Sequence, residues 1–131
     1  MREFVKKHNQ LQHTRGVTYR VKYDKWHGHG IEISISRDIM AEMKWNVTKT
    51  LVDLEWDRCR MYIVHRPDGM YKVRFSHTSY ECHPQRDVAG RFVGCIKCAW
   101  KQEMGLPKIE TRTFCSDIKI GKSTLSFAMP R

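Results

Sequence analysis

VTYRVKYD (residues 17–24) and IEISIS (residues 31–36), joined through HGHG (residues 27–30), decide the fold. In the first segment Val17, Tyr19, Val21 and Tyr23 alternate with Thr18, Arg20, Lys22 and Asp24. An extended chain with that period turns one face dry and the other wet. In the second segment Ile31, Ile33 and Ile35 alternate with Glu32, Ser34 and Ser36, and Gly28 and Gly30 supply a break between the two. The stretch therefore predicts two strands around a glycine turn.

Beyond it, Ser36 and Asp38 offer helix-capping oxygens, and Ile39, Met40 and Met43 recur at helical spacing as far as Trp45. A short helix is expected there. Val52, Leu54 and Trp56 then alternate with Asp53, Glu55 and Asp57, and Met61 to Val64 reads as the returning strand of a hairpin before the turn at Pro67, Asp68 and Gly69. The later chain begins with Tyr71, Val73 and Phe75 against Lys72 and Arg74, followed by a loop-like stretch over residues 76–90. Phe92 to Cys98 predicts a strand and Ala99 to Met104 a second short helix, stopped by Gly105 and Pro107. Glu110 to Cys115 and Thr124 to Met129 read as further strands, with a turn around Asp117 to Gly121. The fold class expected is mainly β with two short helices and no parallel sheet.

The two halves share an order. Placing Ile35 over Ile96 puts Ile39 over Trp100 and Met43 over Met104 without a gap, and small shifts bring Asp57 over Asp117 and Met61 to Pro67 over Thr124 to Pro130. This suggests a tandem repeat. The organisation expected is a basic arm over residues 1–16, a first β-rich repeat over 17–69, and a second over 70–131 packed on the first.

The motif ISISRDIMAEMKW (residues 33–45), followed by VDLEW (52–56) and MYIV (61–64), resembles the AbrB, SpoVT and MazE group of swapped-hairpin β proteins. The resemblance implies a swapped-hairpin barrel, here as a homodimer or as a monomeric pseudo-dimer holding both halves in one chain. It also implies DNA binding through basic residues on the first strand, beside the glycine turn and on the short helix. Lys22 and Lys25 match such positions in the first half; Glu32, Met40 and Ala41 stand where arginines are expected. Arg86, Arg91 and Lys101 are the basic residues near the corresponding places in the second half.

Charge points the same way. The 131 residues hold 24 Lys and Arg against 14 Asp and Glu, a formal net charge of +10 that attracts phosphates. Residues 1–30 are the most basic stretch, with Arg2, Lys6, Lys7, Arg15, Arg20, Lys22 and Lys25 against Glu3 and Asp24. Basic residues are also interleaved with aromatics, as in Tyr19 and Arg20 or Tyr23, Lys25 and Trp26, a pattern that sets charges on phosphates and rings on bases and that ordinary half-buried strands share. The candidate nucleic-acid contacts are Arg20, Lys22, Lys25, Arg37, Arg86, Arg91 and Lys101.

Other chemistry is weakly supported. Cys95 and Cys98 have a zinc-like spacing, with Cys82 and His83 upstream, but residues three apart on a strand face opposite ways. His27 and His29 have no fixed ligand or proton partner in the sequence. Gly121, Lys122, Ser123 and Thr124 resemble the end of a phosphate loop but lack its upstream glycine and following helix. No metal, cofactor or catalytic centre is expected. The 5 cysteines form no disulfide framework, no apolar run approaches the roughly 20 residues of a membrane span, and the N-terminus lacks a secretory signal's apolar middle. A cytoplasmic protein without a membrane partner is expected. Two functions follow: a DNA-binding regulator of transcription acting on the duplex, or a small phage-type adaptor or inhibitor that binds a host nucleic-acid-processing enzyme.

Overall fold

The computed structural model describes residues 16–75 and 92–130. The expected basic arm therefore lies outside the described residues, apart from Gly16, as do Cys82, His83, Arg86 and Arg91. The hairpin forms as its alternation dictates: β1 (Val17–Asp24) pairs antiparallel with β2 (Gly28–Ser36), Val17 opposite Ile35 and Tyr23 opposite His29. The chain continues through helix α1 (Arg37–Met43), β3 (Leu51–Trp56), β4 (Arg60–His65), and the short β5 (Tyr71–Lys72) and β6 (Arg74–Phe75). After β7 (Phe92–Ala99) come a single 3-10 turn (Gln102–Met104), β8 (Thr113–Phe114), β9 (Ser116–Ile120) and β10 (Thr124–Ala128).

The strands make two five-stranded antiparallel sheets, ordered β6-β7-β2-β1-β8 and β5-β3-β4-β10-β9. Both are open. Hydrogen bonding among the described residues thus closes no single barrel, although two bent segments cross between the sheets. Val73, fully buried, separates β5 in the second sheet from β6 in the first, and Cys115 separates β8 in the first from β9 in the second. The chain bends at these points because one residue alone turns its backbone to the other ladder: Val73 pairs with Thr48 and Thr50, and Cys115 donates to Val17 O at 2.8 Å.

Each sheet mixes the two segments. The first joins them through β2 and β7, with Ser34 opposite Cys95; the second joins them through β4 and β10, with Tyr62 opposite Ser126. Setting Ser34 over Cys95 also sets Lys44 over Gly105, and both are left-handed residues, φ 58° and 73°, that end a helical turn. Trp45 and Leu106 follow them into the core. In the later hairpins Asp57 N–H bonds Arg60 O and Gly121 N–H bonds Thr124 O, so the turn at Asp57 corresponds to Gly121 and not to Asp117. Asp117 lies inside β9 at φ 52°, near an irregularity in the β9–β10 ladder, and the expected turn there is strand.

The core lies between the sheets. Tyr19, Val21, Ile31, Ile33, Ile35 and Ile96 from the first sheet pack with Val52, Met61, Ile63, Leu125 and Phe127 from the second, closed at one side by Ile39, Met40 and Met43 of α1. Each such side chain contributes about 1.5–3 kcal/mol on leaving water. Tyr23, expected on this dry face, is 58% exposed because the hairpin end runs past the packed region.

The second short helix is reduced to the 3-10 turn. Ala99 still belongs to β7, Lys101 is extended at φ −134° and ψ 147°, and Gly105 at φ 73° ends the turn, so too few residues remain for an α-helical ladder. Ser36 does not cap α1 with its side chain; its Oγ accepts Gly16 N–H at 3.0 Å, pinning the start of β1.

Gly69 is the tightest backbone approach in this part of the fold: a Cβ there would lie 2.6 Å from Val52 N and 2.8 Å from its carbonyl carbon and oxygen. These are backbone atoms of a sheet strand and cannot swing aside. Gly69→Ala is expected to destabilise the protein by on the order of 3 kcal/mol, seen as a lower urea midpoint at unchanged slope. An unchanged midpoint would show that the turn relaxes freely.

Candidate nucleic-acid interface

The projecting end of the β1–β2 hairpin is built around Asp24. Its carboxylate accepts Trp26 N–H at 2.7 Å and faces His27 Nδ1 at 3.2 Å, while its carbonyl accepts His27 N–H at 3.2 Å. The Trp26 amide, with the His27 ring next, holds the Asp24 carboxyl below its usual range. Gly28, at φ 80°, returns the chain in a conformation that side chains resist. This tight turn leaves Trp26 79% exposed, with Lys25 Nζ 5.2 Å from the centroid of its ring.

On the wet face behind the turn, Lys22 stands opposite Gly30, which in turn stands opposite Ala99. With no bulk at Gly30 and little at Ala99, the surface sinks into a trough of about 720 Å³, lined by Lys22 and Lys97 and by the carboxylate residues Asp24 and Glu32. Lys22 is exposed and makes no hydrogen bond or ion pair with other described residues. One step further along, Arg20, Glu32 and Lys97 lie side by side on β1, β2 and β7. Glu32 Oε1 accepts from Arg20 Nε at 2.8 Å and its Oε2 lies 3.7 Å from Lys97 Nζ.

Burial alone would raise the Glu32 pKa, but the hydrogen bond and charge of Arg20, with Lys97 and Lys22 beyond, hold it below its ordinary 4.5. A depressed carboxyl stabilises the fold above pH 4.5, and that contribution is lost as pH falls through the lower folded value. Glu32→Gln is therefore expected to lower stability by about 1–3 kcal/mol at pH 7, and to flatten the acid limb of the stability profile below pH 4.5. Parallel acid limbs in the two proteins would contradict this assignment.

The sequence-predicted contacts divide. Lys22 and Lys25 reach the hairpin end, and Lys101 joins them because the preceding residue, Trp100, donates its N–H to His29 O at 2.9 Å. Arg20 shares their face but is bonded to Glu32, its side chain 20% exposed. Arg37 begins α1 at the far end of β2, seven positions from Gly30, or roughly 23 Å at the rise of an extended strand. Arg86 and Arg91 lie outside the described residues. Two further cations lie outside the sequence-predicted set: Lys97, whose alternation with Ile96 and Cys98 marks it as a wet-face residue of β7, and Lys108, in a loop without periodicity. Lys108 Nζ lies 5.5 Å from the Trp100 ring centroid.

Cys95 and Cys98 are both strand residues and face opposite sides, Cys95 opposite Ser34 and Cys98 opposite Ile31. Burial pushes the thiols of Cys95 and Cys98 up to about 11 and that of Cys115 to about 12, so all three are protonated near neutrality. Among the described residues no three His, Cys, Asp or Glu side chains gather as metal ligands, and no helix is long and apolar enough to cross a membrane. No family model, curated protein or solved structure matches the chain.

Proposed function

We propose that the protein is a DNA-binding regulator of the swapped-hairpin β class, in which one chain supplies both halves of a pseudo-dimer. The observation carrying the DNA reading is the cationic hairpin end: Lys22 and Lys97 border a trough floored by Gly30 and Ala99, whose lining also holds Asp24 and Glu32, while Lys25 lies in the adjoining turn and Lys101 follows the Trp100 that bonds His29 O. With only Gly30 and the Ala99 methyl at its floor, the trough has room for a sugar–phosphate backbone beside Lys22 and Lys97, and each phosphate contact releases a counterion. The class assignment is supported by the interleaving of segments: the first gives one hairpin to each sheet, the second gives β7 to one and the β9–β10 hairpin to the other, and β2 meets β7 as β4 meets β10.

Fluorescence anisotropy with a generic labelled duplex across a salt series tests the proposal. Four phosphate contacts correspond to a slope of log K against log salt of about −3 to −4. Absence of binding even at low salt would overturn it and favour the adaptor or inhibitor reading, in which the same cations meet an acidic protein surface.

A further inference from the structure

The trough accounts for the wet face of the hairpin end and leaves its other face unexplained. There Tyr23 and His29, a cross-strand pair, have ring centroids 5.1 Å apart, and His29 and Trp100 are 5.8 Å apart in an edge-on arrangement. Tyr23 is 58% exposed and Trp26, at the adjoining tip, 79% exposed. Tyr23 and Trp26 are rings left outside the core, exposed apolar surface of the kind that marks a contact face in soluble proteins, while Trp100 packs partly buried against the core and is fixed by its Nε1–H to Leu106 O at 3.1 Å. Cations flank the row at both ends, Lys25 over Trp26 and Lys108 over Trp100. An apolar protein partner would have to desolvate both ammonium groups, whereas a nucleotide supplies a ring for the aromatic face and a phosphate for the lysine beside it.

We infer that Tyr23, His29 and Trp100, with Trp26 at the tip, form a stacking platform for unpaired bases, so that the hairpin end binds single-stranded DNA by its rings as well as by charge. This rests on the nucleic-acid reading above and adds the base-contacting half of the site. Neighbouring residues of a strand point to opposite faces, so Lys22 in the trough and Tyr23 on the platform divide phosphate and base contacts across one ribbon. Stacking needs unpaired bases, since those within a duplex have their faces covered by neighbours. The surface therefore distinguishes a single strand from the duplex through the rings and treats them alike through the lysines.

The test uses the full chain and its Tyr23→Ala, Trp26→Ala double variant against a labelled oligothymidine and against a duplex, at one salt concentration. Both positions are exposed, and the thermal midpoint of the variant checks that the fold is kept. Oligothymidine is expected to quench the tryptophan emission of the wild-type protein. The variant is expected to lose about tenfold to a hundredfold in single-strand affinity while its duplex affinity changes less than about threefold. Equal losses for both ligands, or duplex binding without single-strand binding in the wild-type protein, would overturn the platform and leave the nucleic-acid reading standing. Binding of neither would remove both.

Discussion

A chain ending at Gly69 is expected not to fold as a monomer. It retains β1 to β4 and α1 but loses β7, which covers β2, and β10, which covers β4. The core loses Ile96, Leu106, Leu125 and Phe127 together, and at about 2–5 kcal/mol for each large apolar side chain removed, this exceeds the typical stability of a domain. All four remaining strands are then sheet edges, and β2 and β4, which lose the longest pairings, are open to whatever matches them. The match at hand is a second copy, β2 on β2 about Ser34 and β4 on β4 about Tyr62, the places where β7 and β10 meet them in the full chain. Sedimentation and circular dichroism on the fragment are expected to show an unfolded chain or a folded homodimer. A folded monomer would mean that the segments are independent domains, contrary to the interleaved sheets.

Replacing Lys22, Lys25 and Lys101 together by Ala is expected to weaken duplex binding without sequence bias and to lower the magnitude of the salt slope by about 3 units, near one for each lost phosphate contact. All three are exposed and none is in an ion pair with another described residue, so stability should stay within about 0.5 kcal/mol of wild type. Arg20 is left out because its removal strands the buried Glu32 carboxylate, mixing a folding defect with a binding one. An unchanged slope in a folded triple variant would remove this face from the site.

Much of the architecture was legible as period. Val17, Tyr19 and Val21, Ile31, Ile33 and Ile35, and Met61 and Ile63 point inward as their alternation requires. Alternation records which side of a strand is dry and says nothing of where the sheet runs out. That is why Tyr23, in step with Tyr19, ends exposed. The pairing of Arg20 with Glu32 was hidden for a related reason: each is a wet-face residue of its own strand, and only the register brings them opposite. Register also decides the repeat. Aligning Pro67 with Pro130 displaces the strands by one position against the hydrogen-bonded turns at Asp57 and Gly121, and a one-residue slip exchanges the faces of a strand. The crossings at Val73 and Cys115 leave no mark in hydropathy, since a buried residue at a bend reads like one in a straight strand.

The candidate site was legible where charge and turn coincide. Lys22 and Lys25 follow from the first strand and its glycine turn, whereas Lys97, Lys101 and Lys108 reach the same end only because β7 runs beside β2. Arg37 looked close to them through its nearness in sequence to β2, yet an extended strand carries its two ends apart.

Amide chemical shifts followed while a generic DNA duplex is added to the labelled 131-residue chain test the central claim most directly. The account predicts salt-sensitive changes concentrated at Lys22, at Lys25 through Gly30, and at Lys97 through Lys101, with β3, β4 and β10 unmoved. Changes centred on β3 and β4, or no change at low salt, would contradict it.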